Sequence, residues 1–348
     1  MIMEALIGKT FSEITKIVQD IAAPKFVSKQ LCDWIYKKRV SDINSMTNIS
    51  LKVREILSQQ YTIGHIPHTK EVISKDGTRK YLFEYFGGVL VEAVLIFDND
   101  RTTLCISTQA GCKMNCAFCA TGKMGFVRNL TSHEIINIYS DLDAHINSVD
   151  KRLSINNIVF MGMGEPLDNF DEVRNVLDIL TSDWGYALSP RRITVSTCGF
   201  MPNLKEFLDK TNTDVAISLH NAIKEERKNI MPVDKAYPIE EVVKLLRSYD
   251  WTKQRHLTFE YIVFKNLNSS ASHVNAIARL LNGLSCRINL IPFNTVPDTP
   301  FVGADKSEMQ AFATKLKNKG FNVTIRQSKG SDISAACGLL STKENHNK

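Results

Sequence analysis

The pattern of hydrophobic and polar positions divides the first third of the chain into two parts. Within residues 1–68, apolar residues recur at helical spacing in three segments, 11–21, 26–39 and 51–59. Over 69–102 the pattern changes to short alternating runs, with Asp76-Gly77 and Gly87-Gly88 as turn signals between them. We therefore predict a small helical accessory domain over 1–68 and a β-hairpin connector over 69–102.

From residue 103 onwards, short apolar runs typical of strands alternate with segments that have the period of a helix. The predicted strands are 103–108, 157–163, 192–197, 214–220, 257–264 and 287–293. The predicted helices are 132–145, 170–181, 239–248 and 271–282, and Thr131 with Glu134 forms a capping-box pattern before the first. This order predicts an α/β fold with a parallel sheet. Six units are too few for a closed (β/α)8 barrel, so we predict a partial (β/α)6 barrel over 103–340, its site at the carboxyl ends of the strands, and a tail at 341–348.

Composition and charge narrow the function classes. The 348 residues are 43% hydrophobic and 23% charged, as in ordinary globular proteins. No apolar run approaches the roughly 20 residues that span a bilayer, and the first residues, Met1-Ile2-Met3-Glu4, lack the basic region of a signal peptide. We therefore expect a cytoplasmic protein without a membrane partner. The net charge of +6 favours a polyanionic partner such as a nucleic acid.

Three of the eight cysteines are crowded into one short stretch. Cys112, Cys116 and Cys119 have the spacing C-x3-C-x2-C directly after the first strand of the predicted barrel. Three thiolates can hold a [4Fe–4S] cluster while one iron stays open to another ligand. The alternative is a structural zinc site, which needs four ligands, with His133 or a distant cysteine as the fourth. The spacing favours the cluster, and an open iron indicates catalysis.

The cluster motif, with Phe118 before its last cysteine, resembles that of the radical S-adenosylmethionine (SAM) superfamily. Further motifs extend the resemblance over almost the whole chain, to the RlmN-type dual-specificity RNA methyltransferases. These motifs are Gly164-Glu165-Pro166, Ser189-Pro190-Arg191-Arg192, Val195-Ser196-Thr197, Ser218-Leu219-His220, residues 288–294 and Ala335-Ala336-Cys337-Gly338. The resemblance implies that the open iron binds the amino and carboxylate groups of SAM, whose reductive cleavage gives a 5′-deoxyadenosyl radical.

The same resemblance implies roles for individual residues. The residues that it places around SAM are Gly164, Glu165, Ser196, Ser218, Leu219, His220 and Asn294. It makes Cys337 the methyl carrier and Cys105 the thiol that resolves the adduct and accepts a proton. Glu92 is a competing proton acceptor, because a carboxylate among the apolar residues of its strand could have a raised pKa. The remaining cysteines, Cys32, Cys198 and Cys286, are expected to be small buried residues.

The implied function is methylation of carbon 2 of adenine in 23S rRNA and in tRNA, with two SAM molecules per turnover and an electron donor such as flavodoxin or ferredoxin. A related enzyme family methylates carbon 8. Gly164-Glu165-Pro166, where that family has Gly-Glu-Ala, favours carbon 2, whereas Leu339 departs from the Gln expected in both. The alternative of a different class is a non-catalytic, metal-stabilised RNA-binding protein. Basic candidates for contacts to RNA phosphates are Lys37, Lys38, Arg39, Arg191, Arg192, Arg326 and Lys329.

Overall fold

A small N-terminal module, residues 3–62, packs against the side of the barrel. Its elements are β1 Glu4–Ala5, α1 Phe11–Asp20, α2 Phe26–Cys32, α3 Leu51–Gln60 and β2 Tyr61–Thr62. The computed structural model describes residues 3–253 and 255–342, so most of the predicted tail at 341–348 lies outside the described residues. Thr10 begins α1 through a capping box with Glu13. The three predicted helices are confirmed, although α2 widens into a π-helical turn over Asp33–Lys37.

A ten-stranded sheet forms the centre of the molecule. In chain order the remaining strands are β3 Lys70–Ile73, β4 Arg79–Tyr85, β5 Val89–Asp98, β6 Arg101–Cys105, β7 Gln109–Gly111, β8 Phe126–Asn129, β9 Asn157–Phe160, β10 Ile193–Thr197, β11 Asp214–Ser218, β12 Leu257–Val263, β13 Arg287–Pro292 and β14 Asn322–Ile325. β7 and β8 form a separate antiparallel pair, and the large sheet has the order β14-β13-β12-β11-β10-β9-β6-β5-β4-β3. From β6 to β14 the neighbouring strands are parallel, whereas β3, β4 and β5 continue the sheet as antiparallel strands.

Helices connect the parallel strands. They are α4 Ala120–Met124, α5 Ser132–Val149, α6 Phe170–Thr181, α7 Met201–Lys210, α8 Lys224–Ile230, α9 Ile239–Leu246, α10 Ala271–Leu281 and α11 Lys306–Asn318. Thr131 begins α5 through the predicted capping box with Glu134. The four predicted helices are therefore confirmed.

No helix within residues 3–253 and 255–342 is both long enough and apolar enough to span a membrane.

The predicted partial barrel is confirmed, since the sheet contains all six predicted strands and does not close. β14 adds a seventh parallel strand at one edge by pairing with β13. The hairpin region, however, is more than a connector. β5 pairs with β6, so β3, β4 and β5 extend the barrel sheet itself.

Alternate residues of the barrel strands face opposite sides of the sheet. In β12, Phe259 and Tyr261 belong to the apolar core, whereas Thr258 and Glu260 line a cavity inside the barrel. The same rule gives the other strands polar inward positions, among them Thr103, Asn157, Thr194, Asn289 and Thr324. The open barrel therefore encloses a polar cavity, whereas a closed barrel fills its interior with packed side chains.

The N-terminal module docks through a basic residue that the sequence had indicated for RNA. Arg39 forms an ion pair with Asp143 of α5, and its guanidinium lies over the ring of Tyr186. Lys38 lies 3.6 Å from the ring centre of Trp34. The prediction that Lys37, Lys38 and Arg39 contact RNA phosphates stays a prediction, and Arg39, whose side chain is 29% exposed, already pairs with Asp143.

Close packing at the carboxyl end of β9 requires a glycine. The Gly162 N–H donates to the Ile106 carbonyl at 3.1 Å, and a Cβ on Gly162 would lie 2.5 Å from Ser107 Oγ and 2.7 Å from Ile106 O. Gly162→Ala should therefore lower the free energy of unfolding by about 3 kcal/mol, measured by urea denaturation. Gly77→Ala is the control, because Gly77 has φ +84° and open space around it, so only backbone strain of about 1 kcal/mol is expected. Equal losses in the two variants would contradict the steric explanation.

Candidate active site

Two cavities meet inside the barrel near the carboxyl ends of its strands. The larger, of about 850 Å³, is lined by inward-facing side chains of the parallel strands, and we call it the barrel cavity. The smaller, of about 160 Å³, lies beside the three cysteines of the C-x3-C-x2-C motif, and we call it the cluster cavity. The residues that line both cavities, which we call the junction, are Met161, Glu260, Ile291, Arg326, Cys337 and Leu340.

The loop between β7 and α4 brings the three cysteines of the motif to one wall of the cluster cavity. The Cys112 N–H donates to the Gly125 carbonyl at 2.9 Å, and the Ala117 N–H donates to the Ile230 carbonyl at 2.9 Å. Gly111 enters the loop with φ +76°, and a Cβ there would lie 1.9 Å from the Gly125 carbonyl oxygen. Glycine is therefore required at the start of the loop.

The three thiols suit a cluster better than a single ion. A structural zinc site needs four ligands, and among the described residues no group of even three His, Cys, Asp or Glu side chains is arranged to hold a single metal ion. In a cluster each thiolate binds a different iron, so the sulfurs stand apart. Burial raises the pKa of all three thiols, that of Cys112 to about 12, so thiolates here need the positive charge of bound iron. The residues present therefore fit a [4Fe–4S] cluster.

Most of the residues assigned to SAM by resemblance line the cluster cavity: Gly164, Glu165, Ser196, Ser218 and His220. They lie at or just after the ends of β9, β10 and β11, which neighbour one another in the sheet. Glu165 accepts hydrogen bonds from the Leu167 N–H at 3.1 Å and the Cys198 N–H at 2.9 Å. Burial raises the pKa of Glu165, and these hydrogen bonds oppose the shift. A carboxylate held in this way can accept a further hydrogen bond from a ligand ammonium.

The other two residues are placed differently. Leu219 is buried, and its N–H donates to the Glu260 carbonyl at 2.9 Å. Asn294 lines the barrel cavity, where its amide nitrogen donates to the Cys337 carbonyl at 3.3 Å and its amide oxygen accepts from the Ser328 hydroxyl at 2.8 Å. Leu219 thus shapes a strand end through its backbone, and Asn294 positions the segment that carries Cys337.

His220 is held in one neutral form. Its φ is +53°, and its Nδ1 accepts from the Ile262 N–H at 3.1 Å, so the proton of the neutral ring is on Nε2. Burial lowers the pKa of His220 to about 3, and the charge of Arg227 acts in the same direction. The ring also packs edge-on against Phe118 at 4.8 Å. His220 is therefore a neutral hydrogen-bond donor at physiological pH, and its ring supports the cluster loop.

Cys105 and Cys337 line the same barrel cavity. Cys105 ends β6, and burial raises the pKa of its thiol to about 12, an effect to which the nearby Cys337 adds. Cys337 is partly exposed and belongs to the junction. The structure thus brings together the two thiols that the resemblance pairs, with Cys105 protonated at neutral pH.

The segment that carries Cys337 is held from two sides. The Ala120 N–H, next to the last cysteine of the motif, donates to the Gly338 carbonyl at 2.8 Å. From the other side, Asp76 in the turn between β3 and β4 accepts from the Gly330 N–H at 2.9 Å. The hairpin region therefore helps to position Cys337, a role that its sequence pattern did not indicate.

Glu92, the competing proton acceptor, lines neither cavity. It is buried in β5, where its carboxylate lies 3.0 Å from the Lys80 ammonium and accepts from the Ser341 N–H at 3.0 Å. These contacts anchor the chain just after Cys337. The role of Glu92 as a proton acceptor stays a prediction.

A buried cation behind the cluster cavity has no sequence motif to mark it. Arg227 of α8 donates to the backbone carbonyls of Cys198 at 3.2 Å, Ser218 at 2.9 Å and Leu219 at 3.0 Å, and it forms an ion pair with Asp234. It thereby holds the ends of β10 and β11 together. The sequence of α8, with five charged residues in seven, is typical of an exposed helix. Only the fold shows that Arg227 points inwards.

Besides Arg227, the sequence did not single out Glu260, which belongs to the junction. Glu260 is 5% exposed, and the Asn289 amide nitrogen donates to its two carboxylate oxygens at 3.2 and 3.1 Å. The Thr324 hydroxyl donates to the Asn289 amide oxygen at 2.9 Å, which fixes the orientation of that amide. The available signal was a carboxylate at an inward position of a mainly apolar strand.

The opposite end of the barrel cavity is mainly cationic. Its lining there includes the exposed residues Arg101, Arg191, Arg192 and Arg287, together with Asp98 and Asp214. These residues lie at or near the amino ends of the barrel strands, or at the outer end of β5. The structure thus places the predicted pair Arg191 and Arg192 at the mouth of the cavity that contains Cys337.

Comparisons with known proteins cover both parts of the chain. The model of the radical SAM superfamily matches residues 106–277, and that of the ribosomal RNA large subunit methyltransferase N-terminal domain matches residues 5–63. A protein of Phocaeicola vulgatus named "Probable dual-specificity RNA methyltransferase RlmN" is 48% identical over 97% of this chain and 95% of its own length. A protein of Staphylococcus aureus with the same name is 37% identical over 98% of this chain and 93% of its own length.

A solved structure agrees with these matches. The crystal structure of a radical SAM methyltransferase from Sphaerobacter thermophilus has a TM-score of 0.90 and 35% sequence identity, and the match covers 98% of this chain and 100% of that one. The expected superfamily and fold are therefore confirmed across the N-terminal module and the barrel. The chain belongs to the RlmN family of dual-specificity RNA methyltransferases within the radical SAM superfamily.

Proposed function

We propose that the protein methylates carbon 2 of adenine in 23S rRNA and in tRNA through a methyl group carried by Cys337. The observation that carries the proposal is the position of Cys337 at the junction, where it faces the cavity of the cluster cysteines and the cavity that contains Cys105. A methyl group on its sulfur has access to SAM on one side and to a base on the other. The names of the relatives, which describe dual-specificity RNA methyltransferases, support this substrate class.

The target atom explains the need for radical chemistry. Carbon 2 of adenine is an electron-poor aromatic C–H without a nucleophilic lone pair, so direct polar methyl transfer to it is very slow. When bound, the cluster and SAM supply a methyl group and, after one-electron reduction, a 5′-deoxyadenosyl radical. We propose that two SAM molecules are used per turnover, one for each purpose, and that the electron comes from a protein of the flavodoxin or ferredoxin type.

The two cysteines carry out successive parts of the proposed reaction. The Cys337 sulfur accepts the methyl group, which loses a hydrogen atom and forms a carbon–carbon bond to carbon 2. One electron from the resulting adduct would return to the oxidised cluster, and the carbon-2 proton leaves, so that a methylene group joins the base to Cys337. The Cys105 thiolate then attacks the Cys337 sulfur, the sulfur–methylene bond breaks, the methylene takes up a proton, and a Cys105–Cys337 disulfide remains. Since burial raises the pKa of Cys105 to about 12, its thiol must first be deprotonated.

The lining of the cluster cavity provides the groups for SAM. We propose that Glu165 accepts hydrogen bonds from the SAM ammonium, while Ser196, Ser218 and His220 contact the rest of the molecule. Glycine is required at position 164 of the cavity wall, because its φ is +103° and a Cβ there would lie 2.5 Å from Gln109 Cβ. Leu219 and Asn294 contribute to the site indirectly. Leu219 shapes the end of β11, and Asn294 positions the segment that carries Cys337.

The base reaches Cys337 through the barrel cavity. At the carboxyl end the Ala120–Gly338 hydrogen bond joins the cluster loop to the Cys337 segment, whereas the amino end has the exposed cations. An adenine in folded RNA must be flipped out before its carbon 2 is accessible. We propose that Arg191 and Arg192 bind phosphates around the flipped nucleotide.

The identity of the product tests the function directly. Anaerobically reconstituted enzyme with SAM and a reductant should convert adenosine in 23S rRNA and tRNA to 2-methyladenosine, detected by mass spectrometry of the nucleosides. The Ala variants of Cys112, Cys116 and Cys119 should each lose iron, SAM cleavage and product, because each removes one of the three protein ligands. A product methylated at carbon 8 would contradict the position of attack, and RNA binding without any methylated product would indicate the non-catalytic alternative.

The Ala variants of the two remaining cysteines should stop the reaction at different steps. Cys337→Ala removes the methyl acceptor, so neither a methylated protein nor an RNA adduct can form. Cys105→Ala keeps the carrier but lacks the resolving thiol, so RNA linked to Cys337 should accumulate as a nuclease-sensitive, shifted band on a denaturing gel. Cys286→Ala is the control, because Cys286 lines neither cavity and should leave turnover unchanged. Normal turnover of Cys105→Ala would show that Cys105 takes no part in the reaction.

The contribution of the cations can be measured from salt dependence. The double variant Arg191→Gln/Arg192→Gln should weaken RNA binding and reduce the slope of log K against log salt by about 1 to 2, since about one counterion is released per phosphate contact. The charge-matched control is Lys315→Gln/Lys317→Gln, which also removes two exposed cations but lies on α11, outside both cavities. Identical slopes for the two double variants would show that Arg191 and Arg192 do not contact phosphate.

A further inference from the structure

The junction offers few groups that can recognise a base. Three of its residues, Met161, Ile291 and Leu340, are apolar, and Cys337 is the proposed methyl carrier. The two that remain carry opposite charges and can form strong hydrogen bonds with a nucleobase: Glu260 and Arg326. Both therefore face the space in which carbon 2 must meet the Cys337 methyl group.

Glu260 is held rigidly from its backbone and from its side chain. Its backbone carbonyl accepts from the Leu219 N–H at 2.9 Å and the His220 N–H at 3.2 Å, so it is fixed relative to the lining of the cluster cavity. Its carboxylate is oriented by Asn289, which is in turn oriented by Thr324. A carboxylate has about four lone-pair positions, so acceptor capacity remains after these contacts.

Arg326 is fixed at the same junction. Its backbone N–H donates to the Leu290 carbonyl at 2.8 Å, which extends the pairing of β14 with β13. Its side-chain Nη1 lies 3.6 Å from Met161 Sδ. Burial raises the pKa of Glu260, and the charge of Arg326 opposes that rise. The two side chains therefore act on each other across the junction.

The edge of adenine that contains carbon 2 matches this pair chemically. Carbon 2, the acceptor N1 and the 6-amino group lie on one edge of the ring, and enzymes read flipped bases by hydrogen bonds to this edge. A carboxylate accepts from the 6-amino group and a guanidinium donates to N1. Guanine presents a carbonyl oxygen in place of the 6-amino group, which a carboxylate repels.

We propose that Glu260 is the specificity-determining residue of this site, which accepts a hydrogen bond from the 6-amino group of adenine while Arg326 donates to N1. The inference rests on the proposed function and adds to it the residues that read the target base. Asn289 and Thr324 are then positioning residues, because they act through Glu260.

The test compares two RNA hairpins that differ only in the target nucleoside, adenosine or purine ribonucleoside, which lacks the 6-amino group. With reconstituted wild-type enzyme, Kd should favour the adenosine hairpin by roughly tenfold or more, the size expected for a hydrogen bond to a charged group. Glu260→Ala should bring the ratio of the two Kd values close to one, and the isosteric Glu260→Gln should reduce it in part. The matched control is Glu84→Gln, an exposed carboxylate in β4, which should keep the wild-type ratio.

If Glu260 had only a structural role, its variants would fold less stably or bind both hairpins more weakly by the same factor. The ratio of the two Kd values would then stay unchanged, which would overturn the proposal. Accumulation by Glu260→Gln of Cys337-linked RNA that retains the carbon-2 hydrogen would also overturn it, since Glu260 would then be the proton acceptor. The Kd ratio requires no turnover, so it is independent of the proposed function. If the Glu260 variants lose the preference for the adenosine hairpin but the wild type forms no 2-methyladenosine, only the proposed function is rejected. If the wild type methylates normally and the variants keep the wild-type ratio of Kd values, only the role of Glu260 is rejected.

Discussion

The arrangement of the cluster cavity depends on one buried ion pair, between Arg227 and Asp234. Both side chains are 0% exposed. The guanidinium also binds carbonyls at the ends of β10 and β11, while Asp234 accepts from the Ile239 N–H at 2.9 Å where α9 begins. Removal of one partner from such a pair costs about 3–5 kcal/mol, because the other charge remains buried. The strand ends that carry Cys198 and Ser218 therefore cannot move independently of each other or of α9.

The open sheet determines the shape of the barrel cavity. Because the sheet does not close, its inward positions surround a polar cavity that reaches from the cationic end to Cys337. At the carboxyl end lie the cluster loop and the segment that Asp76 and Ala120 hold. In the proposed complex, the base in the barrel cavity would separate a reactive intermediate at the junction from solvent at the cationic end, which limits side reactions.

The sequence predicted features that depend on local pattern. The barrel strands follow from short apolar runs, the start of α5 from Thr131 and Glu134, and the cluster loop from the spacing of three cysteines. It could not predict the features that depend on contacts between distant segments. Arg227 lies in a helix whose composition is that of a solvated surface, and Arg39 lies in a basic run, yet both form ion pairs with carboxylates of the barrel. The link between the hairpin turn and the Cys337 segment likewise joins residues more than 250 positions apart.

The positions of the two thiols explain how the proposed reaction could keep its order. Cys337 lines both cavities, whereas Cys105 lines only the barrel cavity, so SAM in the cluster cavity has access to one of the two sulfurs. Burial raises the pKa of Cys105 to about 12, so at neutral pH it is a thiol and a poor nucleophile. Both facts favour methylation of Cys337 alone. Cys105 can act only after a base has entered the barrel cavity and the thiol has lost its proton, which places its attack on the Cys337 sulfur after the carbon–carbon bond has formed.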